Sequence, residues 1–301
     1  MSTVPTVLLL GANGQLGSEL QFTKPGDTEL IACARTDLDI ADTDALQRAF
    51  TRYRFQSVIN ASAYTAVDAA ETEREAAHAV NTKGPARLAD LCAAHGVRLL
   101  HISTDFIFDG MKGSPYRIDD TPNPLGHYGV TKLAGERAVL GSGADALVVR
   151  TGWVYSAQGS NFVRTMLRLM AERDRLSVVE DQVGTPTWAR GLANVCWTLL
   201  ADPGAYGCYH WSDAGACSWY DFAVAIADEA SRIGLLDRAP AIVPIPSSDY
   251  PTPARRPAYS VLDKTGTRER LNYPGVHWRE ALRSMLLEVP HSSNGQESGH
   301  G

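Results

Sequence analysis

The chain has 301 residues, enough for one large α/β domain or for a domain with a second lobe. Hydrophobic residues make up 44% of it and charged residues 21%, which excludes the disordered and collagen-like classes. The net charge of −6 argues against general nucleic-acid binding, so an anionic ligand would need a locally basic pocket.

Cysteine usage and the chain ends predict a cytoplasmic protein without a membrane partner. The five cysteines are odd in number and show no CxxC spacing, which favours reduced thiols over disulfides or structural zinc. The N-terminal apolar run is short and follows no basic region, so it indicates a buried strand and not a signal peptide. Residues 290–301 are polar and rich in Gly and Ser, and we expect a flexible tail there.

The first half of the chain alternates short apolar strands with longer helical patterns. We predict strands at 6–10, 29–34, 57–60, 97–103 and 146–150, and helices at 15–21, 42–53, 73–96 and 126–136, with Asp42 as a helix cap. Strands that alternate with helices indicate a parallel sheet with right-handed crossovers. The predicted fold is therefore α/β, a Rossmann-type doubly wound parallel sheet.

The pattern loosens beyond Arg150. We predict helices at 161–176, 188–200 and 219–234 and a strand at 177–181, whereas 244–260 is too rich in proline for either element. This division predicts an NAD(P)-binding domain over 1–150 and a smaller C-terminal lobe, mainly substrate-binding, over 151–289. The boundary is soft, because later segments have room to rejoin the sheet.

Three glycines follow the first strand and open the first helix. Gly11, Gly14 and Gly17 form a GxxGxxG variant of the dinucleotide fingerprint. Gly11 allows the tight turn, Gly14 lets a pyrophosphate approach the backbone, and Gly17 lets the helix pack closely on the strand. The strand–turn–helix context favours dinucleotide binding over a purely structural turn.

The end of the second strand bears on the choice of cofactor. An acidic residue that would hold a ribose 2′-hydroxyl is missing, and Ala34 and Arg35 stand there. An arginine suits a 2′-phosphate, so we predict NADPH, with NADH possible; the alternative is an exposed loop arginine. Asp39 and Ile40, a little further on, are placed to flank the adenine.

A strand-end hydroxyl is followed by a YxxxK pattern. Ser103, Thr104 and Asp105 end the fourth strand, and Tyr128 and Lys132 lie four residues apart on one helix face. A free tyrosine has a pKa of about 10. We expect the Lys132 ammonium and an oxidised nicotinamide to lower the Tyr128 pKa towards the working range of a proton donor to a carbonyl oxygen.

The order GANGQLG, NASAYTAVDAAE, STDFIFDG and YGVTKLAGE resembles the extended short-chain dehydrogenase/reductases. The resemblance continues through RTGWVYSAQGSNFVRTML, DQVGTPTWA, GCYHWSDAGACSWYDFA and YPTPARRPAYSVLD, and within that superfamily it points to the dTDP-4-dehydrorhamnose reductases. It covers nearly the whole chain. It implies NADPH-dependent reduction of the 4-keto group of dTDP-4-dehydro-L-rhamnose. We expect a monomer or a homodimer, and the sequence does not decide between them.

The resemblance also implies roles for particular residues. Tyr128 would be the catalytic acid, Thr104 would tune it, and Lys132 would assist it and reach the nicotinamide ribose. The residues implied to line the cofactor, beyond the glycines, are Asn13, Gln15, Leu16, Asp39, Ile40, Ala61, Ala63, Tyr64 and Thr65, and those implied to touch the sugar nucleotide are Thr104, Asp105 and Trp153. Tyr64 stands where some relatives carry His, and Phe106 stands where they often carry Tyr; both changes should be mild.

Several other residues keep two interpretations. Arg255 and Arg256, in a proline-stiffened loop, suit the diphosphate of a nucleotide sugar or are simply exposed. Trp153, after a strand, belongs to the pocket or to the core. Asp68 and Glu71 follow the third strand and serve either as a helix start or in the reaction. The histidines show no metal-ligand grouping, so we predict no metal site.

Two rival functions share these features. A nucleotide-sugar epimerase or dehydratase would have the same fold and the same Tyr–Lys pair, but would keep its cofactor through the cycle. A non-catalytic regulatory nucleotide-binding subunit would share the fold and often lack the catalytic residues. Here Thr104, Tyr128 and Lys132 are all present, which argues against the second rival.

Overall fold

The computed structural model describes residues 4–290. Its strands are β1 (Thr6–Leu10), β2 (Glu29–Cys33), β3 (Ser57–Asn60), β4 (Arg98–Thr104), β5 (Ala146–Thr151), β6 (Val154–Tyr155), β7 (Arg175–Val179), β8 (Val183–Gly184), β9 (Thr187–Trp188), β10 (Gly207–His210), β11 (Cys217–Ser218) and β12 (Ala241–Ile245). The predicted tail lies outside the described residues, apart from Pro290.

Ten α-helices accompany these strands in the described part of the chain. They are α1 (Gln15–Phe22), α2 (Thr43–Arg52), α3 (Arg74–His78), α4 (Gly84–His95), α5 (His127–Gly141), α6 (Phe162–Glu172), α7 (Ala189–Ala201), α8 (Trp219–Arg232), α9 (Thr265–Leu271) and α10 (Trp278–Leu286). Asp42 caps α2 as predicted, because its side chain accepts a hydrogen bond from Ala45 N at 2.9 Å.

The central sheet has six strands in the order β10-β5-β4-β3-β1-β2, and all neighbours pair in parallel. Its strands are apolar on both faces because both faces are covered. Leu8 and Leu10 of β1 pack towards α2 and α4, whereas Val7 and Leu9 pack towards α1 and α7. The predicted Rossmann-type doubly wound fold is confirmed.

Part of the chain beyond residue 150 returns to this sheet. β10 pairs with β5 at the sheet edge, from Gly207 opposite Leu147 to His210 opposite Arg150. Helix α7 packs on α1 and contributes Leu192 to the apolar layer on that face of the sheet. A boundary at residue 150 therefore cuts through the sheet's own core, and the substrate-binding role of 151–289 stays a prediction.

The second lobe has its own apolar core, formed by α6, α8, α10 and the β7–β12 pair. The helix predicted over 161–176 ends earlier, at Glu172. Arg173 is extended, and β7 begins at Arg175. Leu176 and Val178, two residues apart on this strand, both point into the core of the second lobe. The segment predicted to be irregular begins at Pro244, but Pro244 and Ile245 complete β12 in a two-stranded sheet, where a proline is tolerated on an edge strand.

The helix predicted over 73–96 is interrupted by a π-helical turn, Ala79–Lys83. Pro85 follows this turn and has no N–H to donate, so the regular hydrogen-bond ladder cannot continue through it. The turn aims the Asn81 side chain at the backbone of Tyr64, where its Oδ1 accepts from Tyr64 N at 2.8 Å and its Nδ2 donates to Tyr64 O at 3.0 Å.

Candidate active site

Polar side chains meet at the carboxyl ends of the central strands. Thr104 ends β4 and stands in register with Thr151 of β5, and Asn60 ends β3 beside them. Ligands of open α/β sheets bind outside this edge. The predicted hydroxyl of Thr104 is therefore at the edge where a cofactor and a substrate can meet.

Tyr128 lies in the first turn of α5, directly against this edge. Its phenol hydrogen-bonds the Thr104 hydroxyl, and its ring packs edge-on against Phe106, with the ring centroids 5.6 Å apart. Thr104 is held in turn by the Phe106 backbone, whose N–H donates to Thr104 Oγ1 at 3.2 Å. The structure thus brings the predicted acid and its predicted tuning residue into contact.

Burial dominates the acidity of Tyr128. It raises the pKa of the phenol to about 12, and the charge of Asp105 adds to this rise, while the hydrogen bond with Thr104 opposes it. The predicted lowering of the Tyr128 pKa is therefore wrong for the protein's own groups. A phenol with this pKa keeps its proton at neutral pH, which suits a proton donor.

Lys132 is buried one helical turn from Tyr128. Its Nζ donates a hydrogen bond to Ile102 O at 2.6 Å, at the end of β4. Burial lowers the pKa of Lys132 to about 8, and the charge of Glu136 partly opposes this. At neutral pH the lysine keeps its positive charge although its side chain is buried.

A neutral histidine lies beneath Lys132. Burial first, and then the Lys132 charge, hold the pKa of His101 well below its usual range. Asn60 Nδ2 lies 2.9 Å from His101 Nδ1, and Asn60 Oδ1 accepts from Ser62 Oγ at 2.6 Å. Asn60 is therefore the donor to Nδ1, and the imidazole proton is on Nε2, which finds no partner among residues 4–290.

A buried ion pair supports the same end of the sheet. Glu136 of α5 and Arg150 of β5 are 2% and 6% exposed, with Arg150 Nη2 2.5 Å from Glu136 Oε1. Ser103 Oγ donates to Glu136 Oε2 at 2.7 Å. Arg150 Nη1 also donates to Ile118 O and lies 3.2 Å from His210 Nε2, so the guanidinium has partners on several sides. This pair ties α5 to the strands next to Tyr128.

The glycine turn fits a dinucleotide. Gly11 has φ +82, and a Cβ there would lie 2.8 Å from the Ala61 backbone. A Cβ on Gly17 would lie 2.1 Å from Gly11 O, so the close packing of helix on turn excludes any side chain. Gly14 is the N-cap of α1 and supplies no side-chain cap, while Asn13 beside it is exposed. The helix start is thus open to an anion.

Gln15 and Leu16 have other contacts besides the turn. Leu16 is buried in the layer between the sheet and α7. Gln15 Oε1 accepts a hydrogen bond from Asn161 Nδ2 at 2.8 Å, and Asn161 caps α6 of the second lobe. The Gln15 side chain therefore joins the glycine turn to the second lobe, and its predicted contact with the cofactor stays a prediction.

The residues predicted around the adenosine end are brought together by the fold. Arg35 is 81% exposed, and its Nε lies 3.0 Å from Asp39 Oδ2. A surface ion pair of this kind is weak, so Arg35 is free to turn to a phosphate. Ile40 is buried, and a Cβ on Gly84 would lie 2.8 Å from its Cγ1. A contact of Ile40 with an adenine would have to come from its backbone.

The segment after β3 runs beside the glycine turn. Ala61 contacts Gly11 through its backbone. Ala63 is half-buried and Thr65 is exposed. Tyr64 is fixed by Asn81 through its backbone, and its hydroxyl donates to Glu73 Oε2 at 2.8 Å. The segment is thus held in place between the glycine turn and Tyr128.

Asp105 is a buried carboxyl whose charge acts on the Tyr128 phenol. Burial raises its pKa to about 6, while hydrogen bonds from Ser260 and Thr104 oppose the rise. Thr104 Oγ1 donates to Asp105 Oδ1 at 3.1 Å. A Cβ on Gly152 would lie 2.5 Å from Asp105 Oδ2, so only glycine fits there. Asp105 is therefore tightly packed and rigidly oriented.

Trp153 forms part of the wall between the sheet edge and the second lobe. Its φ of +52 is in the left-handed region, which non-glycine residues rarely adopt and which recurs at functional sites. Its indole stacks on Trp219 with centroids 3.5 Å apart and planes at 4°. A Cβ on Gly184 would lie 2.5 Å from the indole. Trp153 thus packs against the core of the second lobe, and its place in the substrate pocket stays a prediction.

The two arginines of the proline-rich loop differ. Arg256 forms an ion pair with Asp68, with Arg256 Nη2 2.8 Å from Asp68 Oδ2. Hydrogen bonding to Arg256 holds the pKa of Asp68 below its usual range. Arg255 is exposed. Its carbonyl oxygen would lie 3.8 Å from a Cβ on Gly126, so it sits over the start of α5.

Sequence reasoning missed three residues that shape the site, Asn81, Ser260 and Trp219. Asn81 holds Tyr64 and donates to Thr131 Oγ1 at 3.2 Å, between Tyr128 and Lys132. Ser260 binds Asp105, and Trp219 stacks on Trp153. Only Asn81 carried a signal, as an asparagine inside a helical pattern just before a Gly-Pro pair. The others depend on contacts between distant segments.

No metal site or membrane span is evident in the described residues. Across 4–290 no three His, Cys, Asp or Glu side chains are grouped so as to hold an ion. Within the same range no helix combines the length and apolarity needed to cross a bilayer. The five cysteines are free thiols.

A family model for the RmlD substrate binding domain matches residues 5–290. The chain belongs to this family. Among its relatives, the dTDP-4-dehydrorhamnose reductase of Burkholderia thailandensis is 43% identical over 295 residues, which cover 94% of this chain and 98% of that protein. The resemblance to the dTDP-4-dehydrorhamnose reductases that the motifs indicate is confirmed.

Solved structures of RmlD-family relatives match the whole fold. The dTDP-4-dehydrorhamnose reductase of Clostridium acetobutylicum superposes with a TM-score of 0.88 at 38% identity, covering 94% of this chain and 100% of that one. The Bacillus anthracis enzyme, solved in complex with NADP, gives a TM-score of 0.89 at 34% identity, covering 95% and 99%. The two-lobed arrangement is therefore shared along nearly the full length of both proteins.

Proposed function

We propose that this chain catalyses the NADPH-dependent reduction of the 4-keto group of dTDP-4-dehydro-L-rhamnose to dTDP-L-rhamnose, with Tyr128 as the proton donor. The observation that carries the proposal is the contact between Tyr128 and Thr104, with buried Lys132 one turn away, at the strand ends of an RmlD-family chain. Relatives that bear this activity in their names match the chain over almost all of its length.

NADPH fits the residues that line the first strand end. The open N-terminus of α1 and the glycines that leave no room for a Cβ suit a pyrophosphate. Arg35 would hold the 2′-phosphate, and Lys132 would reach the nicotinamide ribose. A relative with 34% identity was solved with NADP. When bound, NADPH supplies the hydride that reduces the carbonyl carbon.

Tyr128 supplies the proton. Its Oη gives a proton to the carbonyl oxygen as the new O–H bond of the sugar forms, and the side chain is left as a phenolate. Thr104 holds the phenol in place through its hydroxyl, and the Lys132 cation, one helical turn away, would stabilise the phenolate as it forms. Proton donation of this kind contributes ~10²–10⁴-fold, and positioning of the reactants supplies much of the rest.

The sugar nucleotide would bind between the sheet edge and the second lobe. Asp105 and the stacked pair of Trp153 and Trp219 would border the sugar. Arg255 would bind the diphosphate, because Arg256 is already committed to Asp68 and Arg255 is exposed at the start of α5. We further infer that the enzyme acts in the cytoplasm, as a monomer or homodimer, without a nucleic-acid partner.

The experiment that tests this function follows NADPH absorbance in the presence of dTDP-4-dehydro-L-rhamnose. The wild type is expected to consume NADPH in proportion to the sugar, and Tyr128→Phe is expected to lose ~10²-fold or more in kcat because the proton donor is gone. NADPH binding, followed by nicotinamide fluorescence, is the control and should be retained in the variant.

Two outcomes would contradict the proposal. A folded wild type that converts a nucleotide sugar with no net loss of NADPH, and that is purified with its cofactor bound, would be an epimerase or dehydratase. A folded wild type that binds NADPH and converts no nucleotide sugar would be a regulatory nucleotide-binding protein.

A further inference from the structure

A short segment after β3 touches both the catalytic helix and the proline-rich loop of the second lobe. It consists of Asp68 and the single 3-10 turn Ala69–Glu71, and we call it the Asp68–Glu71 strap. Asp68 does not cap its own turn through its side chain. Both acidic side chains of the strap are directed to distant parts of the chain instead.

Glu71 caps the catalytic helix from outside. Helix α5 begins after Gly126, which offers no side-chain cap, so the first amide of the helix needs another acceptor. Glu71 Oε1 accepts the hydrogen bond of His127 N at 2.7 Å. A Cβ on Gly126 would lie 2.8 Å from this same oxygen, so the glycine leaves room for the carboxylate. Tyr128 is the next residue of the helix.

Asp68 ties the other end of the strap to the second lobe. Its Oδ1 accepts from Ala254 N and from Arg256 Nη1, each at 3.1 Å, and its Oδ2 accepts from Arg256 Nη2 at 2.8 Å. The Arg256 side chain is 25% exposed and the Asp68 side chain 39%. The loop held in this way also carries Arg255, the residue that the proposed function assigns to the diphosphate.

The middle of the strap lies against the catalytic tyrosine. Ala70 is fully buried and packs in one small cluster with Ala77 and Tyr128. The Tyr128 ring is therefore bounded by the strap on one side and by Phe106 on another. A shift of the strap would move both the helix start and the wall of the ring's pocket.

Resting on the function proposed above, we propose that Glu71 is a positioning residue that fixes the first turn of α5 and with it the Tyr128 hydroxyl, while Asp68 anchors the strap to the substrate-side loop. Neither carboxylate reacts. The strap instead makes the position of the proton donor depend on the loop that would carry the nucleotide diphosphate.

The test compares Glu71→Ala, Glu71→Asp and Glu71→Gln with the matched control Glu75→Ala. Glu75 is an exposed carboxylate four residues away in α3, so its removal changes the charge equally. Glu71→Ala loses the cap and Glu71→Asp is too short to reach it, so both should lower kcat by ~10-fold or more, since a misplacement of about 1 Å costs up to ~10²-fold. The KM for NADPH should not change.

Glu71→Gln keeps an oxygen that accepts from His127 N, so it should retain most of the wild-type kcat, and Glu75→Ala should retain all of it. A second readout needs no sugar: amide hydrogen exchange in a peptide spanning 126–132 should speed up in Glu71→Ala and Glu71→Asp only. Unchanged kcat and exchange in Glu71→Asp would overturn the proposal, even if Glu71→Ala failed to fold.

An equal loss of kcat in Glu71→Gln and Glu71→Asp, without faster exchange, would also overturn it, because the charge and not the cap would then be responsible. A failure of the proposed function gives a different result from a failure of this positioning role. If the wild type consumed no NADPH, that function would fall, whereas the exchange comparison would still decide whether Glu71 holds the start of α5.

Discussion

Tyr128 and Lys132 lie one turn apart on α5, and burial moves their two pKa values in opposite directions. The neutral phenol is favoured, so its pKa rises to about 12. The neutral amine is favoured too, so the pKa of Lys132 falls to about 8. The phenol therefore holds its proton at neutral pH, and the lysine is charged only up to mildly basic pH.

The pH dependence of turnover should follow Lys132. The amine is protonated below its pKa and neutral above it, so a phenolate left on Tyr128 loses its stabilising cation as the pH rises. We expect kcat/KM for the sugar nucleotide to be steady at neutral pH and to fall above about pH 8. The measurement is a pH profile of initial rates at fixed ionic strength.

Lys132→Arg is the control for this profile, because a guanidinium does not lose its proton in the range of the assay. The variant's rate should be lower than that of the wild type, since the larger, planar guanidinium cannot take the place of the lysine Nζ that donates to Ile102 O. The fall above pH 8 should be absent. The same basic limb in both proteins would assign it to another group.

At the scale of elements, the position of α5 depends on its close approach to another helical segment. Pro85 has no N–H, so the Asn81 carbonyl is left without its partner in a regular helix. This carbonyl faces α5, where a Cβ on Gly135 would lie 2.0 Å from Asn81 O. Because Gly135 has no side chain, α5 can lie directly on the π-helical turn. That turn contains Asn81, whose side chain binds the backbone of Tyr64.

Gly135→Ala should therefore destabilise the protein, although alanine is the better helix former. The new methyl group meets a backbone atom that cannot turn away, and overpacking of this kind costs ~1–3 kcal/mol. Gly141→Ala is the matched control in the same helix, since a Cβ there has nothing within 4 Å. The control should be neutral or more stable by up to ~1 kcal/mol.

Urea unfolding at neutral pH measures both variants, and Gly135→Ala should also lower kcat because α5 carries Tyr128 and Lys132. Equal midpoints for the two alanine variants would show that the contact between α5 and the π-helical turn does not constrain the fold.

For the whole molecule, the two lobes are joined at several points around the site. β10 enters the central sheet from beyond residue 150. Asn161 caps α6 and reaches Gln15 in the glycine turn, and Arg256 reaches Asp68. The lobes therefore share hydrogen bonds and a sheet, and the cofactor side and the substrate side of the site are expected to respond to each other.

The C-terminal helix depends on one buried carboxylate. Glu229 of α8 is fully buried and binds Arg232, Arg279 and Arg283, the last two on α10. Hydrogen bonding to Arg283 and then Arg279 lowers the pKa of Glu229 from 4.5 to about 2. Its folded pKa lies below its unfolded value, so its contribution to stability is complete above pH 4.5 and is lost as the pH falls towards 2.

Glu229→Gln should lower the free energy of unfolding by ~1–3 kcal/mol at neutral pH, with the half-exposed arginines favouring the lower end of that range. The difference between variant and wild type should shrink between pH 4.5 and 2. Chemical unfolding at neutral and at acid pH measures it. A difference that stays constant with pH would mean that the Glu229 charge does not hold α10.

The sequence by itself determined the sheet-forming half, the glycine turn and the YxxxK helix. Each depends on local order along the chain: apolar runs between helices, glycines at fixed offsets and two residues on one helix face. Family motifs added the reaction class. These features could be predicted because a strand, a turn and a helix face are specified by residues close together in sequence.

The tertiary structure alone decided how the site is tuned and held together. The direction of the Tyr128 pKa shift comes from burial, which depends on the surrounding chain and not on the Tyr–Lys spacing. The roles of Glu71 and Asp68, the separation of Arg255 from Arg256, and the return of β10 to the sheet all come from contacts between segments tens to hundreds of residues apart. Such contacts leave no periodic pattern in the sequence, because they are set by how the packed elements meet.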